Sequence, residues 1–159
     1  MNYTVYKSPL GAILLGGDAS GIRLLNFQNG TNPAEVPAAW TETRAAFTGV
    51  VRQLDEYFDG NRRDFDLALR PQGTVFQKEV WSELERIPYG TTISYSELAE
   101  RIKRPKAVRA VGSANGANPI PLIIPCHRVI GADGSLTGYG GGLEIKERLL
   151  AHEGALLAF

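Results

Sequence analysis

Hydrophobic and polar positions along the first part of the chain change period once. Short apolar stretches at residues 3–6, 12–15 and 22–27, separated by Gly and Asp turns, predict three strands. The period then becomes helical, with Phe47, Val50, Val51, Leu54, Tyr57 and Phe58 on one face. Asp59-Gly60-Asn61 ends that helix, and residues 65–69 predict a further strand. The run Arg70-Pro71-Gln72-Gly73-Thr74 has the composition of a connector, which places a boundary after residue 71.

The remainder reads as mainly helical. Phe76, Val80 and Leu84 recur four apart and predict a helix over 75–86, broken by Pro88-Tyr89-Gly90. Ser94 and Glu97 have the spacing of a capping box, in which hydroxyl and carboxylate satisfy free backbone N–H groups. The helix they start should run over 95–101. Pro105 suits the first position of the next helix, which carries Ala107, Val108, Val111 and Ala114 and stops near Asn115-Gly116. Two short helices joined by a tight turn form a helix-turn-helix pattern. Its second helix is built from Ala107, Ala110, Gly112, Ser113 and Ala114, from which only Arg109 projects far. Small residues allow close approach to a groove wall, and equally to a neighbouring helix. The expected fold is α+β. A small strand-and-helix domain, residues 1–71, precedes a mainly helical domain, residues 72–159, with the helix-turn-helix and a cysteine-containing loop.

Composition changes the picture in three places. Lysine and arginine number 17 and so do aspartate and glutamate, a zero net charge that argues against nucleic acid as a partner. The distribution argues the other way. Between residues 101 and 132 stand Arg101, Lys103, Arg104, Lys106, Arg109 and Arg128, with no acid among them. Phosphate neutralisation needs local positive potential rather than a basic whole chain. Second, one cysteine and two histidines exclude a disulfide framework and a cysteine-rich zinc site. No metal or cofactor is expected. Third, the apolar run 120–124 is broken by Pro121 and is far too short to span a bilayer. The start MNYTVYKSPLG lacks the pattern of a signal peptide. The reading is a cytoplasmic protein with no membrane partner.

The chemistry concentrates in one segment. A lone cysteine is usually a buried filler. Cys126, however, follows Pro125 and precedes His127 and Arg128. A base or positive charge nearby turns a thiol into a nucleophile. His127 can serve through a water or a sharp chain turn. The group that orients the histidine is left open by these residues alone.

The string IPCHRVIG, residues 124–131, resembles the active-site motif of the O6-alkylguanine-DNA alkyltransferases. PYGTTISYSELA (88–99), RPKAVRAVGSANGANP (104–119) and GYGGGLEIKERLLAHEG (138–154) extend the resemblance over nearly all of 72–155. The N-terminal part matches only in length and in its order of strands then helix. The resemblance implies that Cys126 accepts the alkyl group, with His127 as base through a water and Glu153 orienting the histidine. Asn118 would be the hinge between recognition helix and active-site segment. Tyr95, Tyr139, Gly140 and Val129 would contact the flipped guanine. Arg109 would fill the gap in the duplex, with Ser113, Ala114, Lys106 and Arg128 also on DNA. Relatives carry serine after the second tyrosine. Gly140 stands there instead, which should keep the backbone contact to guanine while loosening the loop.

The implied function is direct DNA repair. Double-stranded DNA containing O6-alkylguanine is the partner, docked from the minor groove with the base flipped out. The alkyl group moves irreversibly to the protein, once per chain, and the chain is expected to be a monomer without DNA. Three rivals are weaker. A non-catalytic lesion binder lacks the acceptor cysteine, a transcription regulator needs no Cys-His pair, and a cysteine hydrolase ignores DNA.

Overall fold

The computed structural model describes residues 1–136, 139 and 141–155. Strands β1 (Asn2–Ser8), β2 (Gly11–Asp18) and β3 (Gly21–Phe27) form an antiparallel meander. A two-residue strand, β4 (Thr41–Glu42), adds parallel to β1, giving the order β3-β2-β1-β4. The first turn is closed by Ser8, whose Oγ donates to Gly11 O at 2.7 Å and accepts from Leu10 N at 3.0 Å. A register shift falls at Gly16/Gly17, where Trp40 packs so close that a Cβ on Gly16 would lie 2.7 Å from its ring.

Helix α1 (Thr48–Phe58), entered through a 3-10 turn at Arg44–Phe47, buries Val50, Leu54 and Tyr57. It is pinned to the sheet by Tyr6, whose hydroxyl donates to Asp55 Oδ1 at 2.6 Å.

The strand expected over 65–69 does not form. This segment touches the sheet at one bridge, Ile22 with Leu69, through Ile22 N to Ala68 O (2.9 Å) and Arg70 N to Ile22 O (2.7 Å). The backbone groups of Asp66 are met by a side chain. Buried Gln53 of α1 donates to Asp66 O and accepts from Asp66 N, both at 2.9 Å. A backbone satisfied this way has no need of a ladder.

Helix α2 (Val75–Leu84) begins where the connector was expected to end, because Thr74 is its cap. Thr74 Oγ1 accepts from Gln77 N at 3.1 Å and Gln77 Oε1 accepts from Thr74 N at 2.9 Å, a complete capping box. The pair β5 (Ile93–Ser94) and β6 (Val129–Ile130) is parallel. Helix α3 (Tyr95–Arg101) forms as expected, but with half the expected box. Ser94 Oγ accepts from Glu97 N at 3.0 Å, while the Glu97 carboxylate pairs with Arg101 at 2.8 Å.

Pro105 is not the first residue of the next helix. Helix α4 spans Val108–Gly116, and Pro105 lies in the preceding turn. That turn is set by Lys103, which adopts the left-handed conformation (φ 61°) as Arg104 N bonds Ala99 O and Lys103 N bonds Glu100 O, both at 2.9 Å. Trp81 of α2 donates to Ala114 O at 2.8 Å and locks α4 in place. A 3-10 turn at Cys126–Arg128 and helix α5 (Leu143–His152) complete the described chain. One continuous core joins the sheet, α1 and the helical part.

Candidate active site

The segment from Asn115 to Arg128 holds three prolines after Asn118, so few N–H groups remain for regular structure. Asparagine side chains take over. Asn118 Nδ2 donates to Ile124 O at 2.8 Å and its Oδ1 accepts from Ile120 N at 2.9 Å. Ile124 N closes the loop onto Ile120 O at 2.9 Å. Asn115 Nδ2 donates to Cys126 O at 3.3 Å. Helix α4, which carries Asn115, is thereby coupled to the cysteine. Inside this loop Leu122 is buried at φ 76°, a conformation that costs a bulky residue about 1–2 kcal/mol.

Cys126 is only 4% exposed. Burial pushes its thiol up to about 11, although Asn118 and the Lys146 charge pull the other way. The resting thiol is therefore protonated at neutral pH, and positive charge alone does not activate it. A base is required.

A candidate for it is next in the chain. His127 Nε2 lies 2.9 Å from Glu153 Oε2. Glu153 also accepts from Arg128 Nε at 2.8 Å, Arg128 Nη2 at 3.0 Å and the Tyr57 hydroxyl at 2.7 Å. Burial alone would raise the Glu153 carboxyl. The hydrogen bonds from His127 and Arg128 and the adjacent charges outweigh it and hold the group down at about 2. Burial lowers His127, so the ring is neutral, and an ionised carboxylate can only accept. The proton is therefore assigned to Nε2. Nδ1 keeps its lone pair and has no hydrogen-bond partner among the described residues. A neutral imidazole with one nitrogen anchored and the other free to accept is the form of a general base.

A cavity of about 170 Å³ opens beside Cys126, lined also by Asn118, Pro121 and Tyr139. The Tyr139 hydroxyl is buried without a hydrogen-bond partner among the described residues, and its electrical neighbours include the thiol. A larger cavity, about 490 Å³, lies at the sheet end between Asp18 and Phe47 and holds no nucleophile, so volume does not locate the chemistry.

The other expected site residues divide. Tyr95 is half-buried at the start of α3, beside Gly112 of α4. Gly140 lies outside the described residues. Val129 is fully buried in β6 and does not line the cavity, and its carbonyl accepts from Lys146 Nζ at 2.7 Å. On α4 and the turn before it, Lys106, Arg109 and Ser113 are exposed. Ala114 faces inward at 2% exposure, because its position continues the apolar face of Val111. Arg128, expected on DNA, is buried: it serves Glu153 and donates to Ile87 O at 2.7 Å.

The acid-free stretch 101–132 is thus less basic in space than in sequence. Glu97 pairs with Arg101, Glu79 with Arg104 (3.4 Å) and Glu153 with Arg128. Lys103, Lys106 and Arg109 form no ion pair among the described residues and supply the positive potential of this face.

Two participants were not anticipated. Lys146 is completely buried, donates to Val129 O and lies 5.9 Å from the Tyr95 ring centre. Burial brings its ammonium down to about 8. A signal existed, since Lys146 shares the inward face of α5 with Ile145, Leu149 and Leu150. Tyr57 reads as an ordinary core aromatic, and no sequence signal marks its bond to Glu153.

Comparison with known proteins extends the similarity to the whole chain. The model of the 6-O-methylguanine DNA methyltransferase DNA-binding domain matches residues 75–155. That of the ribonuclease-like domain of 6-O-methylguanine DNA methyltransferase matches residues 1–71. A methylated-DNA–protein-cysteine methyltransferase of Methanosarcina acetivorans is 53% identical over 98% of this chain and 99% of its own length. One from Mycobacterium tuberculosis is 48% identical over 96% of this chain and 92% of its own. The crystal structure of the Mycobacterium tuberculosis OGT in complex with DNA superposes with a TM-score of 0.90 at 47% identity, covering 98% of this chain and 94% of that one. The N-terminal sheet, read from sequence only as strands then a helix, is thus as much part of the similarity as the cysteine segment, and the chain belongs to the 6-O-methylguanine DNA methyltransferase family.

Proposed function

We propose that this protein repairs DNA by moving the alkyl group of an O6-alkylguanine onto Cys126. The observation that carries the reading is a buried cysteine beside a cavity, followed in the chain by a buried histidine hydrogen-bonded to Glu153, with Lys106 and Arg109 exposed on α4 and the turn before it. The target oxygen lies inside the base stack, so the guanine must be flipped out, at a cost of a few kcal/mol. Helix α4 docks in the minor groove, where its small exposed residues permit close approach without base-specific readout. Arg109 occupies the vacated space, with Lys106 and Ser113 on the backbone.

His127 Nδ1 takes the thiol proton through a water, and Glu153 stabilises the imidazolium. The thiolate sulfur then forms a bond to the alkyl carbon while the carbon–O6 bond breaks. Its electron pair stays on guanine, which a solvent proton neutralises. Tyr95 and Tyr139 hold the guanine. The thioether product ends the chain's working life, so transfer is stoichiometric and needs no cofactor or metal. We assign the protein to the cytoplasm, as a monomer without DNA, with a domain division after residue 71.

The test is an intact mass spectrum after incubation with a duplex carrying one O6-methylguanine. The expected result is a gain of one methylene, never two, mapped to Cys126. Tight selective binding without a gain would make the protein a lesion binder instead. A second expectation concerns Arg109→Ala. Repair of duplex should slow about tenfold, the equivalent of roughly 1.4 kcal/mol of lost support for the flipped state, while reaction with a free O6-alkylated base changes far less. Equal losses on both substrates would remove Arg109 from the base-flipping step.

A further inference from the structure

We propose that the N-terminal part supplies the specificity wall of the acceptor cavity, with Asn26, Phe27 and Asn32 setting the size of alkyl group that Cys126 accepts. The inference rests on Cys126 being the acceptor. Part of the lining of the cavity that holds Cys126 comes from β3 and the loop after it, some hundred residues earlier in the chain.

The wall is fixed at both ends. β3 is the edge strand of its sheet, and its free side is taken up by other backbone. Ile22 bonds the 65–69 segment, and Leu25 N donates to Pro119 O at 3.0 Å, one residue from the Asn118 clamp. Strand and acceptor loop therefore cannot separate without breaking a buried backbone hydrogen bond. Phe27 is 3% exposed and its ring centre lies 6.3 Å from that of Tyr139. Gly141 sits between these rings, so tightly that a Cβ there would come within 2.8 Å of Tyr139 and 3.0 Å of Phe27.

Asn26 organises the mouth. Its Nδ2 donates to Asn32 O at 3.0 Å. Its Oδ1 accepts from Ala34 N at 2.9 Å and from Gln28 Nε2 at 2.6 Å. Two of these bonds go to the segment that carries Asn32, so Asn32 is held at the cavity rim rather than swinging free.

The cavity beside Cys126 is small, about 170 Å³, and β3 and the loop after it form part of its lining. A longer alkyl group anchored between O6 and Sγ must extend away from Cys126, and what it meets there is β3 and its loop. Discrimination by one carbon against such a wall is worth roughly 10- to 200-fold in rate.

The experiment measures single-turnover transfer from duplexes carrying O6-methylguanine or O6-benzylguanine, with thermal melts to confirm folding. Asn32→Ala and Phe27→Leu should raise the benzyl-to-methyl rate ratio by about fivefold or more, and Asn32→Phe should lower it. Asn32 is exposed, so its variants test the wall without disturbing the core. A ratio unchanged in all three folded variants, or both rates falling by one factor, would reduce this wall to a brace. Absence of any alkyl gain on the unmodified protein would instead sink the acceptor assignment itself.

Discussion

Cys126→Ala is expected to gain no mass from a methylated duplex while still binding it selectively. Only one thiol exists in the chain, and the reaction needs a soft nucleophile that ends bonded to carbon. The exposed residues assigned to DNA, Lys106, Arg109 and Ser113, lie on α4 and its preceding turn, away from the buried thiol. Removing one sulfur from a 4%-exposed site leaves the Glu153 network and the bonds of Asn118 to the backbone in place, because both are built from other atoms. The change should therefore separate chemistry from recognition. Rates should fall below detection, and duplex affinity should stay within about threefold, less than 1 kcal/mol. Residual methyl transfer would move the acceptor role elsewhere. Affinity lost along with transfer would mean that the thiol region itself holds the DNA.

Glu153→Gln carries the second large effect, on stability as well as activity. Two carboxylate oxygens receive Tyr57, His127 and both ends of the Arg128 fork, all buried. Glutamine has nearly the same shape, but it offers one acceptor and one donor to a set of donors. It also leaves the Arg128 guanidinium buried without a counter-charge. Breaking a buried pair from one side costs about 3–5 kcal/mol, a large share of the 5–15 kcal/mol that holds a typical domain together. For a chain of this size the melting temperature should fall by roughly 6–20 °C.

Arg128→Met removes the buried cation instead, and the double variant should lose clearly less than the two single losses added together. Strict additivity, or a melt within a degree or two of the parent, would mean that the network contributes little.

The acid limb adds a check. Glu153 has a folded pKa of about 2 against an ordinary 4.5, so its contribution is complete above 4.5 and is lost as pH falls through that value toward 2. His127, also held below its ordinary 6.5, contributes a loss that begins below 6.5. Glu153→Gln should abolish the first component and flatten the lower part of the acid transition.

What the sequence disclosed and what it hid divide by range. The meander, α1 and the helix pair are local patterns, and residues 22–27 or 95–101 could be read to within a few positions. Residues 65–69 looked like a strand because their own composition permits one, whereas their partner is a glutamine thirteen or so positions back. Thr74 was read as connector although Thr74 and Gln77 hold capping-box spacing, a signal that was available. Arg128 looked like a phosphate ligand because it stands in the acid-free basic stretch 101–132. Its burial depends on Glu153 and on the carbonyl of Ile87, neither of which is near in sequence. Cys126 and His127 stood out from their own neighbours in sequence, whereas Glu153 was legible only through the family resemblance. Nothing local to Glu153 tells a buried network anchor from a solvated helical carboxylate.

The displaced pKa of the thiol has a consequence for how long the protein keeps. A molecule that acts once must remain unspent until it meets a lesion. Thiolate is the form that peroxides and stray electrophiles attack. With burial pushing its pKa up to about 11, Cys126 stays overwhelmingly the thiol at neutral pH. The burial that makes a base necessary for repair therefore also acts as a preservative, keeping the single dose of reactivity intact during storage in the cell.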